Sequence, residues 1–279
     1  MNTRSTHEEK AAIVRKWYAL LGIDKKYETE LEEAIAETEI DETLDPVEYT
    51  KPAPTGRGAL VQILFFCEEL AERYREAGIP EEILLDTLDD IRIYCEEWSA
   101  VKGHLTIATA NWLYHHFGME LFRLGRLQFC MAATRADYPE RGIPKGEPIL
   151  EVHIPRGGKM TPELCRASFR AARAFFARFF PEYRYSYFTC SSWLLDETLS
   201  EFLPPESNII TFGNLFDRLS VFEGYYMLDY LYPIGTKVED LPSVTPTTSL
   251  AAKIREAILA GRKFHPAFGV IPADRFDGE

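Results

Sequence analysis

The stretch ILEVHIPRGGKMTPELCRASFRAARAFFARFFP, residues 149–181, decides the fold. Its opening alternates. Ile149, Glu151 and His153 lie on one face and Leu150, Val152 and Ile154 on the other, which is the period of a β-strand. A helix follows: Thr161 offers an N-cap oxygen, Pro162 suits the first helical position, and Glu163 complements the positive end of the helix dipole. Apolar or small residues at 164, 168, 171, 172, 175 and 179 predict the buried stripe, and Pro181 ends it. Between strand and helix stand Arg156, Gly157, Gly158 and Lys159. Two glycines let the backbone turn and approach a ligand closely, and amides at a helix start favour an anion. Residues 156–178 carry six basic side chains and one acidic. The loop does not match GxxxxGK[ST], which argues against an NTP-hydrolysing P-loop.

Outward from this unit, MELFRLGRLQFCMA (119–132) alternates over its second half and reads as a strand. The Pro- and Gly-rich run 137–148 connects it antiparallel to 149–154. Downstream, 185–195, 207–212, 226–232 and 267–272 read as strands, and 247–261 as a capped helix closed by Gly261. Upstream the period is helical. Ile13, Val14, Trp17, Tyr18 and Leu21 form one stripe, and a shorter acidic helix covers roughly 27–40. Pro46, Pro52 and Pro54 mark a loop. Leu60, Leu64, Cys67, Leu70, Ala71 and Tyr74 line a long helix ending before Gly78, and Leu84, Ile91, Tyr94, Cys95 and Trp98 line another after Pro80. A last helix is expected over about 105–117. These stripes predict a helical domain over 1–118, followed by an α+β domain with a mixed sheet over 119–279.

The chain has 279 residues, 46% of them apolar, and a net charge of −13. The excess sits in one part. Residues 1–120 hold 12 basic and 25 acidic side chains, the remainder 19 of each, and 123–184 alone hold 12 basic and 6 acidic. So acidic a chain is unsuited to nucleic acid or an anionic membrane through its overall field. Its local basic segment makes 149–178 the place to look for an anion site. No run approaches a membrane span, and MNTRSTHEEK lacks the apolar core of a signal peptide. Cys67, Cys95, Cys130, Cys165 and Cys190 are an odd number without a CxxC pair, which fits a reducing cytoplasm and predicts no disulfide framework. His115 and His116 are adjacent on a helix and cannot both face one ion, and His104 and His265 are isolated, so no metal site is expected.

The segments GRLQF (125–129), EVHIP (151–155) with its glycine loop, FFPEY (179–183), CSSWLL (190–195), SNIITF (207–212) and LPSVTPTTSL (241–250) resemble the acyltransferase-domain family. That family joins a helical N-terminal domain to a C-terminal domain of the GNAT N-acyltransferase superfamily, and the resemblance covers nearly the whole chain. It implies a bacterial, cytoplasmic enzyme that takes acetyl-CoA or another acyl-CoA and acylates an amine on a small molecule or peptide. It also implies that the coenzyme A phosphates meet Ile154, Arg156, Gly157, Gly158, Lys159, Met160 and Thr161. Such a transfer needs positioning, a base for the amine proton and an acid for the leaving thiolate.

Glu151 is one candidate base and His153 the other. Tyr187 and Cys190 on the next strand are candidates beside the leaving sulfur. Arg126 and Gln128, on one face of the strand before, are candidates for the acceptor. Each also has an ordinary reading: Glu151 paired with Arg126, His153 hydrogen-bonded within a sheet, Cys190 a buried small residue. The glycines follow Arg156 at once, where GNAT enzymes space them from the leading Gln or Arg. This keeps open a second reading, a ligand-binding or scaffold protein on the same fold that transfers nothing.

Overall fold

A computed structural model describes residues 5–276. The chain forms two compact units, Met1–Arg123 and Leu124–Glu279. The first is helical: α1 (His7–Leu20), α2 (Glu28–Glu37), α3 (Pro46–Thr50), α4 (Arg57–Glu76), α5 (Glu81–Lys102) and a single turn α6 (Tyr114–Phe117). A reciprocal capping box of Thr6 and Glu9 starts α1. Gly103 ends α5 at φ 76°, a left-handed cap that suits glycine. The stripes meet on Trp17, Leu60, Ile63, Tyr74 and Phe117, all buried, and Trp17 donates its indole N–H to Glu68 at 2.8 Å.

The expected helix over 105–117 is instead a 3-10 turn over Ala110–Leu113 followed by α6. Thr109 sits at φ 62°, outside helical geometry, and its hydroxyl accepts the Trp98 indole N–H at 3.0 Å. That side-chain contact and the bond from the Gly56 amide to the Ile107 carbonyl, 3.0 Å long, hold the segment off a helical path. None of the described helices is long and apolar enough to cross a membrane.

A six-stranded sheet has the order β1-β2-β3-β4-β6-β5, from β1 (Leu121–Leu124), β2 (Leu127–Ala133), β3 (Pro148–His153), β4 (Tyr187–Ser192), β5 (Asp217–Val221) and β6 (Ala267–Pro272). Pair β3–β4 is parallel; β2–β3, β4–β6 and β5–β6 are antiparallel. Helix α7 (Pro162–Phe179) is the crossover between β3 and β4. It covers the sheet face that carries Phe129 and Phe188: Phe169 packs edge-on to both, with centroids 5.7 and 4.9 Å away, and stacks on Phe276 at 4.4 Å. The buried stripe runs through Cys165, Ser168, Phe169, Ala172, Phe175 and Phe176. It is rotated from the expected one, and Leu164 is left 46% exposed.

Three expected strands are corrected. The run 119–132 is a hairpin, because Gly125, at φ 79°, and Arg126 form a two-residue turn between β1 and β2. SNIITF holds helix α8 (Asn208–Gly213), with the Thr211 amide bonded to the Ser207 carbonyl at 2.8 Å. YMLDYLY holds only the helical turn α9 (Leu228–Leu231). In both, β-branched or aromatic propensity is overridden by local i→i−4 bonding. The edge position in the sheet goes to β5, whose residues are half-buried or exposed and lack an apolar signature. Helix α10 (Ser249–Leu259), capped by Thr248, forms as expected.

Tyr183, from the FFPEY run, locks β2 to β3. Its hydroxyl accepts the Ala132 amide at 3.0 Å and lies 2.8 and 2.7 Å from the Ala132 and Ile149 carbonyls. Burial pushes the phenol up to about 12. Tyr183→Phe leaves a part-buried amide without its acceptor, so we expect a loss of about 1–3 kcal/mol. The check is urea unfolding, with a lower midpoint at unchanged slope.

Candidate functional site

Pairing between β3 and β4 lasts for only three positions: Ile149 with Tyr187, Leu150 with Phe188, and Glu151 with Thr189. Beyond it, Val152 and His153 remain bonded to Phe129 and Gln128 on β2, while Cys190–Ser192 remain bonded to Gly269–Ala267 on β6. The two parallel strands therefore part, each held by its outer neighbour. In the fork between them the β3–β4 ladder is not continued among the described residues, and an extended, peptide-like ligand suits such a gap.

Register assigns the faces. Gln128 and His153 are opposite one another, as are Cys130 and Glu151, Glu151 and Thr189, and Ile149 and Tyr187. One face thus gathers Gln128, Glu151, His153, Tyr187 and Thr189. Cys190 lies on the other, with Phe188 and opposite Gly269. It is fully buried, and burial drives its thiol far above the ordinary range. Alternation alone separates Tyr187 from Cys190, since three residues apart on a strand means opposite faces. The same alternation selects Thr189, absent from the sequence-derived candidates.

At the open end of β3 the loop bends through Gly157 and Gly158, at φ 78° and 72°. A side chain at either position would be strained in this left-handed region. Among the described residues, the amides of Gly157, Gly158 and Lys159 donate to no protein acceptor. Thr161 caps α7 by accepting the Leu164 amide, with Pro162 at the first turn. Lys159 is exposed, and Ile154, Met160 and Thr161 are half-buried.

Two arginines brace the loop. Arg126 is in the hairpin turn rather than on the face of Gln128. Its backbone N–H is fixed by the Ser168 hydroxyl at 2.8 Å and its guanidinium by the Pro155 carbonyl at 2.9 Å. Its side chain runs beside Gly158, 3.7 Å from where a Cβ would stand. Arg156 donates to the Asp229 carbonyl of α9 and lies over the Tyr230 ring, 4.9 Å from its centroid. The arrangement is a braced glycine loop next to a forked sheet.

Glu151 is half-buried. Burial raises its carboxyl above the ordinary 4.5, and the field of Arg135 opposes that rise. Among the described residues its carboxylate accepts no protein hydrogen bond. No group of three or more His, Cys, Asp or Glu among them is placed to hold a metal ion. His116 instead meets Asp90 at 3.0 Å and His115 meets Glu120 at 2.8 Å.

Residues 121–271 match the GNAT-like C-terminal domain, and residues 3–119 match the N-acyltransferase N-terminal domain. Solved structures share the fold. One is of an acyltransferase in complex with CoA and 10C-teicoplanin, with 24% identity, a TM-score of 0.76, and coverage of 93% of this chain and 87% of that one. Another is of an acyltransferase with decanoyl-CoA and teicoplanin, at 23% identity and TM-score 0.75 over the same shares. A third is of an acyltransferase mutant with octanoyl-CoA, at 24% identity and TM-score 0.75, again over the same shares. No curated protein matches the chain.

Because the folded carboxyl of Glu151 ionises above its unfolded value, stability from its neutral form is complete below the unfolded pKa. It is lost as pH rises through the folded one. Glu151→Gln stays neutral and avoids this loss. The melting temperature of the variant relative to wild type is expected to climb between pH 4 and pH 8. A gap that does not change with pH is the contrary result.

Proposed function

The chain belongs to the family defined by the GNAT-like C-terminal domain, and on that premise we propose that it moves an acyl group from acyl-CoA to an amine. One observation carries the reading: a parallel strand pair that parts after three positions and runs into a glycine loop at a capped helix start. The fork offers backbone partners to the amide-containing pantetheine arm, and the loop amides with Lys159 receive the phosphates. Arg126 and Arg156 hold the loop in shape.

The thioester supplies an activated carbonyl. The amine nitrogen attacks it, forming C–N as C–S breaks. Glu151 takes the amine proton, and its raised pKa brings it closer to working pH than an exposed glutamate. His153, on the same face of β3, is the second candidate for that proton, and Gln128 beside it is proposed to contact the acceptor. Tyr187 returns a proton to the departing sulfur. Cys190 faces away and takes no part.

Acetyl is the smallest donor the resemblance implies. Octanoyl- and decanoyl-CoA, bound by the similar acyltransferases, extend the donor series to ten carbons. Teicoplanin in two of those structures supports a small-molecule acceptor, and the acidic first unit supports a cationic one.

Titration calorimetry with free CoA and the C2, C8 and C10 thioesters tests the loop. We expect micromolar binding, weakened at least tenfold in Lys159→Ala and further in Arg156→Ala/Lys159→Ala. No heat at millimolar ligand from folded protein overturns the proposal. With an amine panel, thiol release is expected to rise with pH through the raised Glu151 midpoint. Glu151→Gln should lower kcat by about a hundredfold or more at unchanged CoA affinity.

A further inference from the structure

Thr189 is the last residue of β4 that pairs with β3, and its partner is Glu151. Adjacent parallel strands lie about 4.8 Å apart and register partners share a face, so the two side chains stand next to one another at the root of the fork. Thr189 is 0% exposed, and its hydroxyl has no hydrogen-bond partner among the described residues. The Glu151 carboxylate, half-buried, accepts no protein hydrogen bond there either. A buried hydroxyl without a partner is costly, and a rotamer that turns it to the neighbouring carboxylate removes that cost.

We infer that the Thr189 hydroxyl is the hydrogen-bond donor that holds the Glu151 carboxylate when it ionises. Thr189 is a positioning residue, acting on the reaction through Glu151. Its functional meaning rests on the role of Glu151 proposed above, whereas the pairing itself does not. The hydroxyl rotor is the proton donor that β4 places opposite Glu151. From β2, Cys130 and Gln128 share the face of Glu151; from β3, His153; and from β4, Tyr187. Arg135, in the segment after β2, is the cation whose field reaches the carboxylate. A hydrogen bond to the charged form lowers a carboxyl's pKa, so the hydroxyl works with Arg135 and against burial. It favours the ionised carboxylate, the form that takes a proton.

The test uses the full chain labelled with 13C at the glutamate side-chain carboxyl. The Glu151 resonance is identified by its loss in Glu151→Gln, and its titration is followed in wild type, Thr189→Val and Thr189→Ser. Thr189→Val keeps shape and removes the hydroxyl. It is expected to raise the Glu151 midpoint by about one pH unit, with Thr189→Ser returning it to the wild-type value. A midpoint that does not move in folded Thr189→Val overturns the inference, as does a shift that serine fails to reverse.

Thiol release gives the second readout. The rising limb of the kcat–pH profile should move upward by the same amount in Thr189→Val, giving about tenfold slower turnover below the midpoint, equal turnover well above it, and an unchanged KM for the thioester. A moved NMR midpoint with an unmoved kcat profile overturns the role in turnover. Should wild type release no thiol with any donor and amine, the transfer reading falls, and the NMR midpoints still decide the pairing.

Discussion

The rest of the site depends on the early end of one hydrogen-bond ladder. Two parallel strands that pair for three positions and then separate leave backbone groups that must be met from outside the sheet. The separation survives because each strand is held from its outer side, β3 by six register positions on β2 and β4 by six on β6. Tyr183 reinforces the first of these pairs at the closed end, with its hydroxyl among the backbone groups of Ala132 and Ile149. The opening is therefore built into a stiff frame.

From that opening the chemistry divides by face. Aromatic packing of α7 against Phe129 and Phe188 takes one side of the sheet, and the polar residues are confined to the other. This arrangement brings Glu151 and His153 to the fork while burying Cys190 among apolar neighbours. Burial makes the Glu151 carboxyl harder to ionise, which is a cost to the folded chain at neutral pH and an asset in a proton acceptor.

The glycine loop follows the same economy of parts. Its two left-handed residues turn the chain without a side chain in the way, and its positive groups differ in their surroundings. Arg126 and Arg156 are committed to protein carbonyls and a tyrosine ring, whereas Lys159 is exposed. Charge counting alone, which treats all the basic residues as equivalent, misses this difference.

The sequence by itself determined what short-range rules control. The alternation of 149–154, the cap at Thr161 and Pro162, the glycine pair and the long amphipathic helices all act within a few residues, so they were legible, and with them the α+β class. The same rules put Tyr187 and Thr189 on one face of their strand and Cys190 on the other. The edge strand β5, the helix over 208–213 and the hairpin turn at Gly125 were not legible. Which segment enters a sheet is settled by competition among distant partners, and β-branched runs such as Ile209-Ile210-Thr211 carry no information about that outcome. Only tertiary structure decided where β3 and β4 part, that Arg126 braces the loop, and that Glu151 and Thr189 stand side by side. Each depends on the register between strands separated in sequence by an 18-residue helix, and no local pattern encodes that register.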